Sequence, residues 1–231
     1  MSAADQGTRT PFEVAVWKGN HVAALRSRIY AELAAAFRYP SSEAAAGRIA
    51  DGSAERILLE LIGQLPGNAV VAGRSRPGHP GTGSDGLDVL HCSLFEPAAG
   101  KARVSLYERD HGNHTREVLW EDLFRCYSHF GLEFEDAGLK EAPDHMVIEL
   151  EFMHYLSFLE ASNPETSRGA VLGQGDFLER HLAAWAPGLC LSIEQHAGDS
   201  VYHGLAAILR DFLSADRDHL QSKTHELRRL P

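Results

Sequence analysis

The chain reads as an all-α protein, a compact helical bundle with short connections, and three observations predict it. Large apolar residues recur at steps of three and four through most of its 231 residues. No alternation of apolar and polar residues runs long enough for a useful strand. One segment, residues 142–159 (APDHMVIELEFMHYLSFL), spreads apolar side chains around nearly a whole helical circumference, the pattern of a helix surrounded by protein.

A first helix is expected over residues 21–38, where Val22, Leu25, Ile29, Leu33 and Phe37 share a face, with Asn20 placed to cap it and Pro40 to end it. Residues 53–65 give a shorter one through Ile57, Leu58, Leu61, Ile62 and Leu65. The stretch 73–86 (GRSRPGHPGTGSDG) has no periodicity and is expected to be a mobile loop. Its glycines lack the preceding strand and following Gly-Lys-Ser/Thr of a phosphate loop. Residues 87–110 stay ambiguous, VSLYE fitting a short strand or an extended approach. In TREVLWEDLFRCYSHFGL, Trp120, Leu123, Phe124, Tyr127 and Phe130 line one side, with Thr115 to cap the start and Gly131 the end. FLERHLAAWAP puts Leu178, Leu182 and Trp185 in one helical register, GLCLSIEQH follows, and VYHGLAAILRDFL contributes Leu205, Leu209 and Phe212. A flexible segment over 1–20, one helical domain over 21–215 and a frayed polar tail over 216–231 are the expected divisions.

Composition narrows function. A net charge of −10 argues against a nucleic-acid partner and favours a basic peptide. Cys92, Cys126 and Cys190 have no metal-ligand spacing and are odd in number, which fits a reducing cytoplasm rather than a disulfide framework. No apolar run suits a signal-peptide core or a membrane helix, so a cytoplasmic protein without membrane insertion is expected.

The segment 142–159 carries the chemistry of interest. Pro143 suits a first helical position, and Asp144 beside it would complement the helix dipole. Glu149 and Glu151, two residues apart, point in well-separated directions from an apolar helix, so each needs a partner or an opening. Two readings stay open. In one, Asp144 caps the helix, His145 is a partly exposed loop residue, and the glutamates tie helices together through Arg or Tyr. In the other, Asp144, His145 and a glutamate face a groove and receive a basic ligand. Residues 131–160 hold eight acids against Lys140 alone, which is −7 of the chain's −10.

Other chemistry is weaker. Thirteen histidines include the pair in HGNH, His111 and His114, but there is no HExxH and no Cys/His ligand cluster, so no metal site is expected. Cys126 reads as a core thiol, without a nucleophile motif around it. Tyr107, Trp120 and other aromatics suit either a core or the floor of an apolar groove. The rival class is a helical metal- or small-molecule-dependent enzyme using histidines and carboxylates.

EAPDHMVIELEFMHYL resembles the signature of the TorD/DmsD/NarJ family of cytoplasmic chaperones for molybdenum enzymes. YAELAAAFRYP, SLYE, LWEDLFRCYSHFGL, HLAAWAP and VYHGLAAILRDFL are similar in the expected order over about residues 22–214. LFEP and the run from SLYE to HFGL further resemble the subgroup serving type II DMSO-reductase-family enzymes. The resemblance implies a TorD/DmsD-like helical fold of two subdomains joined near 140–145, no catalysis, and no stably bound cofactor. It implies partners too: the apo catalytic subunit of a molybdoenzyme and its twin-arginine leader, held until molybdopterin (bis-MGD) is inserted. A monomer or a domain-swapped dimer fits. The family's corner falls on Pro143, Asp144 and His145 and its acidic helix on Glu149 and Glu151. Asp144 and Glu149 are expected to meet arginines or to order the corner, and His145 to hydrogen-bond peptide backbone, beside Tyr107, Trp120 and Phe152. The 73–86 insertion departs from the family pattern, and no feature establishes guanine-nucleotide binding.

Overall fold

The computed structural model describes residues 20–66, 84–96, 103–133 and 141–229. The predicted all-α class holds: among the described residues there are nine α-helices and no strand. We number them α1 (His21–Phe37), α2 (Glu43–Ala50), α3 (Ser53–Gly63), α4 (Ser84–Phe95), α5 (Arg116–His129), α6 (Met146–Ser162), α7 (Pro164–Arg180), α8 (Leu182–His196) and α9 (Val201–Arg229). A short 3-10 turn, Glu108–Asp110, precedes α5.

Helix α6 is the central element, packed lengthwise against α1 and α7 and touching α8, as its all-round apolar pattern requires. Met146, Leu150, Met153 and Leu156 are wholly buried in it. Helix α9 lies along α8 and α7 and closes the bundle over α1 and α3. Tyr30 of α1 meets Phe212 of α9 edge to face at 5.0 Å.

Several expectations are corrected. Asn20 does not cap α1; its amide reaches across to the Glu160 carbonyl at 2.7 Å. Thr115 holds the N-cap position of α5 without a side-chain hydrogen bond, while Gly131 ends that helix at φ 75°. Helices α2 and α4 fall where the sequence reading placed none, and Ser84 to Gly86 of the expected 73–86 loop belong to α4. Residues 73–83 lie outside the described residues. Within VSLYE, Tyr107 is extended and makes an isolated antiparallel bridge to His145, and Glu108 already opens the 3-10 turn. Leu178 and Leu182 do not share one helix: the chain breaks at His181 (φ −116°, ψ −100°), and α8 then continues through Pro187.

The frayed tail is also overturned. Helix α9 runs helical to Arg229, and the reason is electrostatic. Asp216 and the fully buried Arg26 of α1 form a two-pronged ion pair, with Arg26 Nη2 on Asp216 Oδ2 at 2.8 Å. Arg26 Nη1 also donates to Glu160 of α6 at 3.0 Å, Tyr30 donates to Asp216 at 2.6 Å, and Lys223 pairs with Glu160. Gln174 of α7 donates to Glu160 at 2.9 Å and accepts from Ser157 at 3.0 Å. Burial works against the ionised Glu160, but Arg26 and Lys223 hold its carboxyl below the ordinary carboxylate range. Four helices are thus bound by one desolvated charge cluster. Replacing Arg26 with Met leaves Asp216 buried without a cation and Glu160 with Lys223 alone, and is expected to cost about 3–5 kcal/mol. Chemical denaturation should show this as a lowered midpoint with an unchanged denaturant slope.

Candidate functional site

The corner before α6 is built from backbone first. Glu108 N–H donates to the Asp144 carbonyl and Met146 N–H to the Leu106 carbonyl, each at 2.9 Å, which clamps the segment 106–108 against 144–146. Tyr127 of α5 donates its hydroxyl to the Pro143 carbonyl at 2.8 Å. Pro143 lies three residues before the first helical residue rather than at it, so the expected dipole role of Asp144 passes to a different residue. His145 is the cap, its Nδ1 accepting from Val147 N–H at 3.2 Å.

Asp144 is entirely buried. Its Oδ1 accepts from Arg109 Nη1 at 2.7 Å and from Trp120 Nε1 at 2.9 Å, and its Oδ2 from the Arg109 backbone at 3.3 Å. The Arg109 guanidinium also lies 3.9 Å above the Tyr107 ring. Tyr107 in turn stands edge-on to the His145 ring at 4.8 Å and donates to Glu141 at 3.1 Å. Because His145 Nδ1 accepts, the ring proton sits on Nε2, which faces Glu141 at 3.7 Å. Burial pushes the His145 pKa down to about 4.

Glu149 is equally sealed, and Trp185 Nε1–H donates to its Oε2 at 3.1 Å. Burial, then the charge of Glu108, pushes this carboxyl well above the ordinary carboxylate range. Its Oε1 has no hydrogen-bond partner, and the nearby Glu108 carboxylate favours the protonated form. Glu108 accepts from His181 Nδ1 at 3.0 Å. Burial opposes the His181 charge, but hydrogen bonding with Cys126 and Glu108 prevails and raises its pKa to about 9.

Of the two roles expected for Asp144 and Glu149, that of open carboxylates is therefore corrected: both are sealed inside and serve the corner. His145 is buried, not a loop residue at the surface, and Phe152 is core, stacked edge-on against Tyr127 and Phe177. Glu151 faces solvent and pairs with Arg38. The structure does bring Tyr107, Trp120, Pro143, Asp144 and His145 together at one joint. Sequence reasoning assigned no role to Arg109, Glu108 or His181, although SLYE and HLAAWAP contain or adjoin them; the signal was the need of Glu149 for a partner, which the sequence could not place.

Two openings flank this joint. Between α5 and α7 runs a groove of about 370 Å³ floored by Phe130, Phe152, Leu172 and Phe177, with Cys126 and Gly173 in its wall. A Cβ on Gly173 would fall 2.3 Å from Phe130 Cζ, so glycine there lets the tip of the ring approach α7. A second opening of about 380 Å³ is lined by Val118, Leu119, Glu108, Asp122 and His181. Arg125 and Arg180 border both. Arg180 pairs with Asp122 and, at 2.7 Å, with Asp176; Arg125 pairs with Glu121 at 3.0 Å. HGNH builds no ligand set: His111 donates to the Ser105 carbonyl at 2.8 Å and stacks on Trp185, while His114 is exposed. Among the described residues no cluster of His, Cys, Asp or Glu is arranged to hold a metal ion, and no helix is long and apolar enough to cross a membrane.

Internally neutralised polar groups that fix helices around an open apolar groove define a binding scaffold. Comparison with known proteins agrees. The family model described as nitrate reductase delta subunit matches residues 79–191. The selenate reductase assembly chaperone protein of Thauera selenatis is 34% identical over 145 residues, covering 61% of this chain and 74% of that protein. The chlorate reductase assembly chaperone protein of Ideonella dechloratans is 30% identical over 155 residues, 65% of this chain and 79% of the relative. The perchlorate reductase assembly chaperone protein of Dechloromonas aromatica is 30% identical over 215 residues, 87% and 91% respectively. The chain belongs to the TorD/DmsD/NarJ family of molybdoenzyme assembly chaperones, whose matched members are named as chaperones rather than enzymes.

The buried His145 makes stability depend on acid. The unfolded chain takes up its proton near pH 6.5 and the folded chain only near 4, so folding loses stability as pH falls through that window. His145→Asn keeps a capping acceptor and removes the titration. It should flatten the loss between pH 6.5 and 4, on the order of 2 kcal/mol, in denaturation series at stepped pH.

Proposed function

We propose that this protein is a cytoplasmic, system-specific chaperone for a molybdoenzyme of the type II DMSO-reductase family. It binds the apo catalytic subunit and its twin-arginine leader and holds the subunit until molybdopterin is inserted, the cofactor being loaded into the client. The observation that carries this reading is the similarity to the perchlorate reductase assembly chaperone over 91% of that protein's length, together with the selenate and chlorate reductase relatives.

The geometry supplies a place for such a leader. Its apolar stretch suits the aromatic-floored groove between α5 and α7. Its guanidiniums suit Asp122 and Asp176, which are now held by Arg180 on the rim. Exposed ion pairs of this kind are worth only about 0–1 kcal/mol, so exchanging one arginine for another costs little. Pro143, Asp144, His145, Tyr107 and Trp120 then act as positioning residues that set the angle of α5, and Asp144 itself touches no ligand.

Calorimetry with a synthetic peptide of two adjacent arginines followed by an apolar run tests this. Leu172→Glu in the groove should weaken binding about tenfold or more, since it puts an unpaired charge against apolar side chains. Asp122→Asn with Asp176→Asn should weaken it about threefold to tenfold and reduce its salt dependence. Unchanged affinity in both, with helical circular dichroism retained, rules out this groove. A pull-down from the native host that recovers no molybdoenzyme subunit rules out the chaperone assignment itself.

A further inference from the structure

Helix α7 carries three glycines in its interior, Gly169, Gly173 and Gly175, where glycine weakens a helix relative to alanine. Packing accounts for two of them. At Gly173 a Cβ would strike the tip of Phe130, and at Gly175 it would fall 2.8 Å from Thr224 Cγ2 of α9. Nothing within the described chain accounts for Gly169. A Cβ there would meet open space, and its φ lies outside the left-handed region, so alanine fits both the backbone and the room available. Folding alone therefore favours alanine at this position.

Gly169 does line the groove between α5 and α7, and it is exposed there. Leu172 and Gly173 follow three and four residues on, which puts all three on one face of α7. Asp176 lies two turns further along that face, about 10 Å away by the helical rise. The α5 wall supplies Phe130 and Cys126, the latter half-buried here rather than in the core as the sequence suggests. Gly47 of α2 and Gly188 of α8 also have open space in place of a Cβ, but neither lines the groove. Gly169 is set apart by its place: a bare stretch of backbone in an apolar groove is where another chain can approach closely.

We propose that Gly169 is a ligand-contact residue: the apolar run of the leader crosses α7 over its backbone, in an approach too close for a Cβ. This rests on the proposed seating of the leader in the groove. The surroundings of the glycine fix the occupant. Leu172, Phe130 and Phe177 offer apolar surface, and Asp176 offers a carboxylate two turns along the same helix face. A peptide with a cationic head followed by an apolar run meets both at once. Helix stability given up at residue 169 is thereby exchanged for contact with the ligand.

The full chain is titrated in a calorimeter with a synthetic peptide of two adjacent arginines followed by an apolar run, and its stability is followed by chemical denaturation. Gly169→Ala is expected to raise the denaturation midpoint. It should at the same time weaken peptide binding about threefold, and Gly169→Leu should weaken it about tenfold. Gly47→Ala should raise the midpoint too and leave the affinity unchanged. Stability and affinity moving in opposite directions is a result that a glycine serving the fold alone cannot give. Gly169→Ala and Gly169→Leu binding as tightly as wild type, or more tightly, overturns the proposal, as does equal weakening by Gly47→Ala. Where Leu172→Glu weakens binding and the Gly169 variants do not, the groove stands and only this contact falls. Where the wild-type chain binds no peptide, or Leu172→Glu binds as wild type, the seating in the groove falls and this contact with it.

Discussion

A charge removed from water must be paired, and that constraint holds this molecule together at two places. At Asp144 it draws Arg109 from the 3-10 turn and Trp120 from α5 onto one carboxylate, so that three separate stretches of chain meet at the entrance to α6. At Arg26 it ties the first helix to the last through Asp216 and to the central helix through Glu160. Hydrophobic burial supplies most of the driving force in such a bundle, but it is non-directional. The buried charges fix which helix faces lie together.

That division of labour shapes the functional surface. Asp144 and Glu149 are neutralised internally, by an arginine in one case and by a retained proton in the other, so neither is open to a ligand. The acids that remain exchangeable are Asp122 and Asp176 at the rim, where water screens them and pairing is weak. A ligand therefore meets an apolar floor with mobile counter-charges, while the rigid charges behind it keep α5 and α7 at the spacing that leaves the groove open. The tip of the Phe130 ring against Gly173 shows how close that spacing is.

A second polar path runs from Trp185 through Glu149, Glu108 and His181 towards the groove wall. Such a chain is costly to bury and does not arise from packing alone. It connects the interior of α6 with the break between α7 and α8. At that break His181 leaves the helix and turns its ring to Glu108. The helix break that separates Leu178 from Leu182 is thus also what positions the imidazole.

Helical character was legible in the sequence because apolar spacing at three and four is a local property, and α1, α3, α5, α6 and the first part of α9 all carry it. The family signature over residues 141–156 was legible for the same reason: it is a contiguous string. Short or polar helices were not. Helix α2 has two buried apolar residues, and the end of α9 reads as a polar tail until Asp216 and Lys223 find partners more than sixty residues away along the chain. The sequence by itself determined the fold class and the corner. Only the tertiary structure decided which way each acid faces. Pairing distance in space, not position in the chain, sets whether a carboxylate is a ligand site or an internal strut.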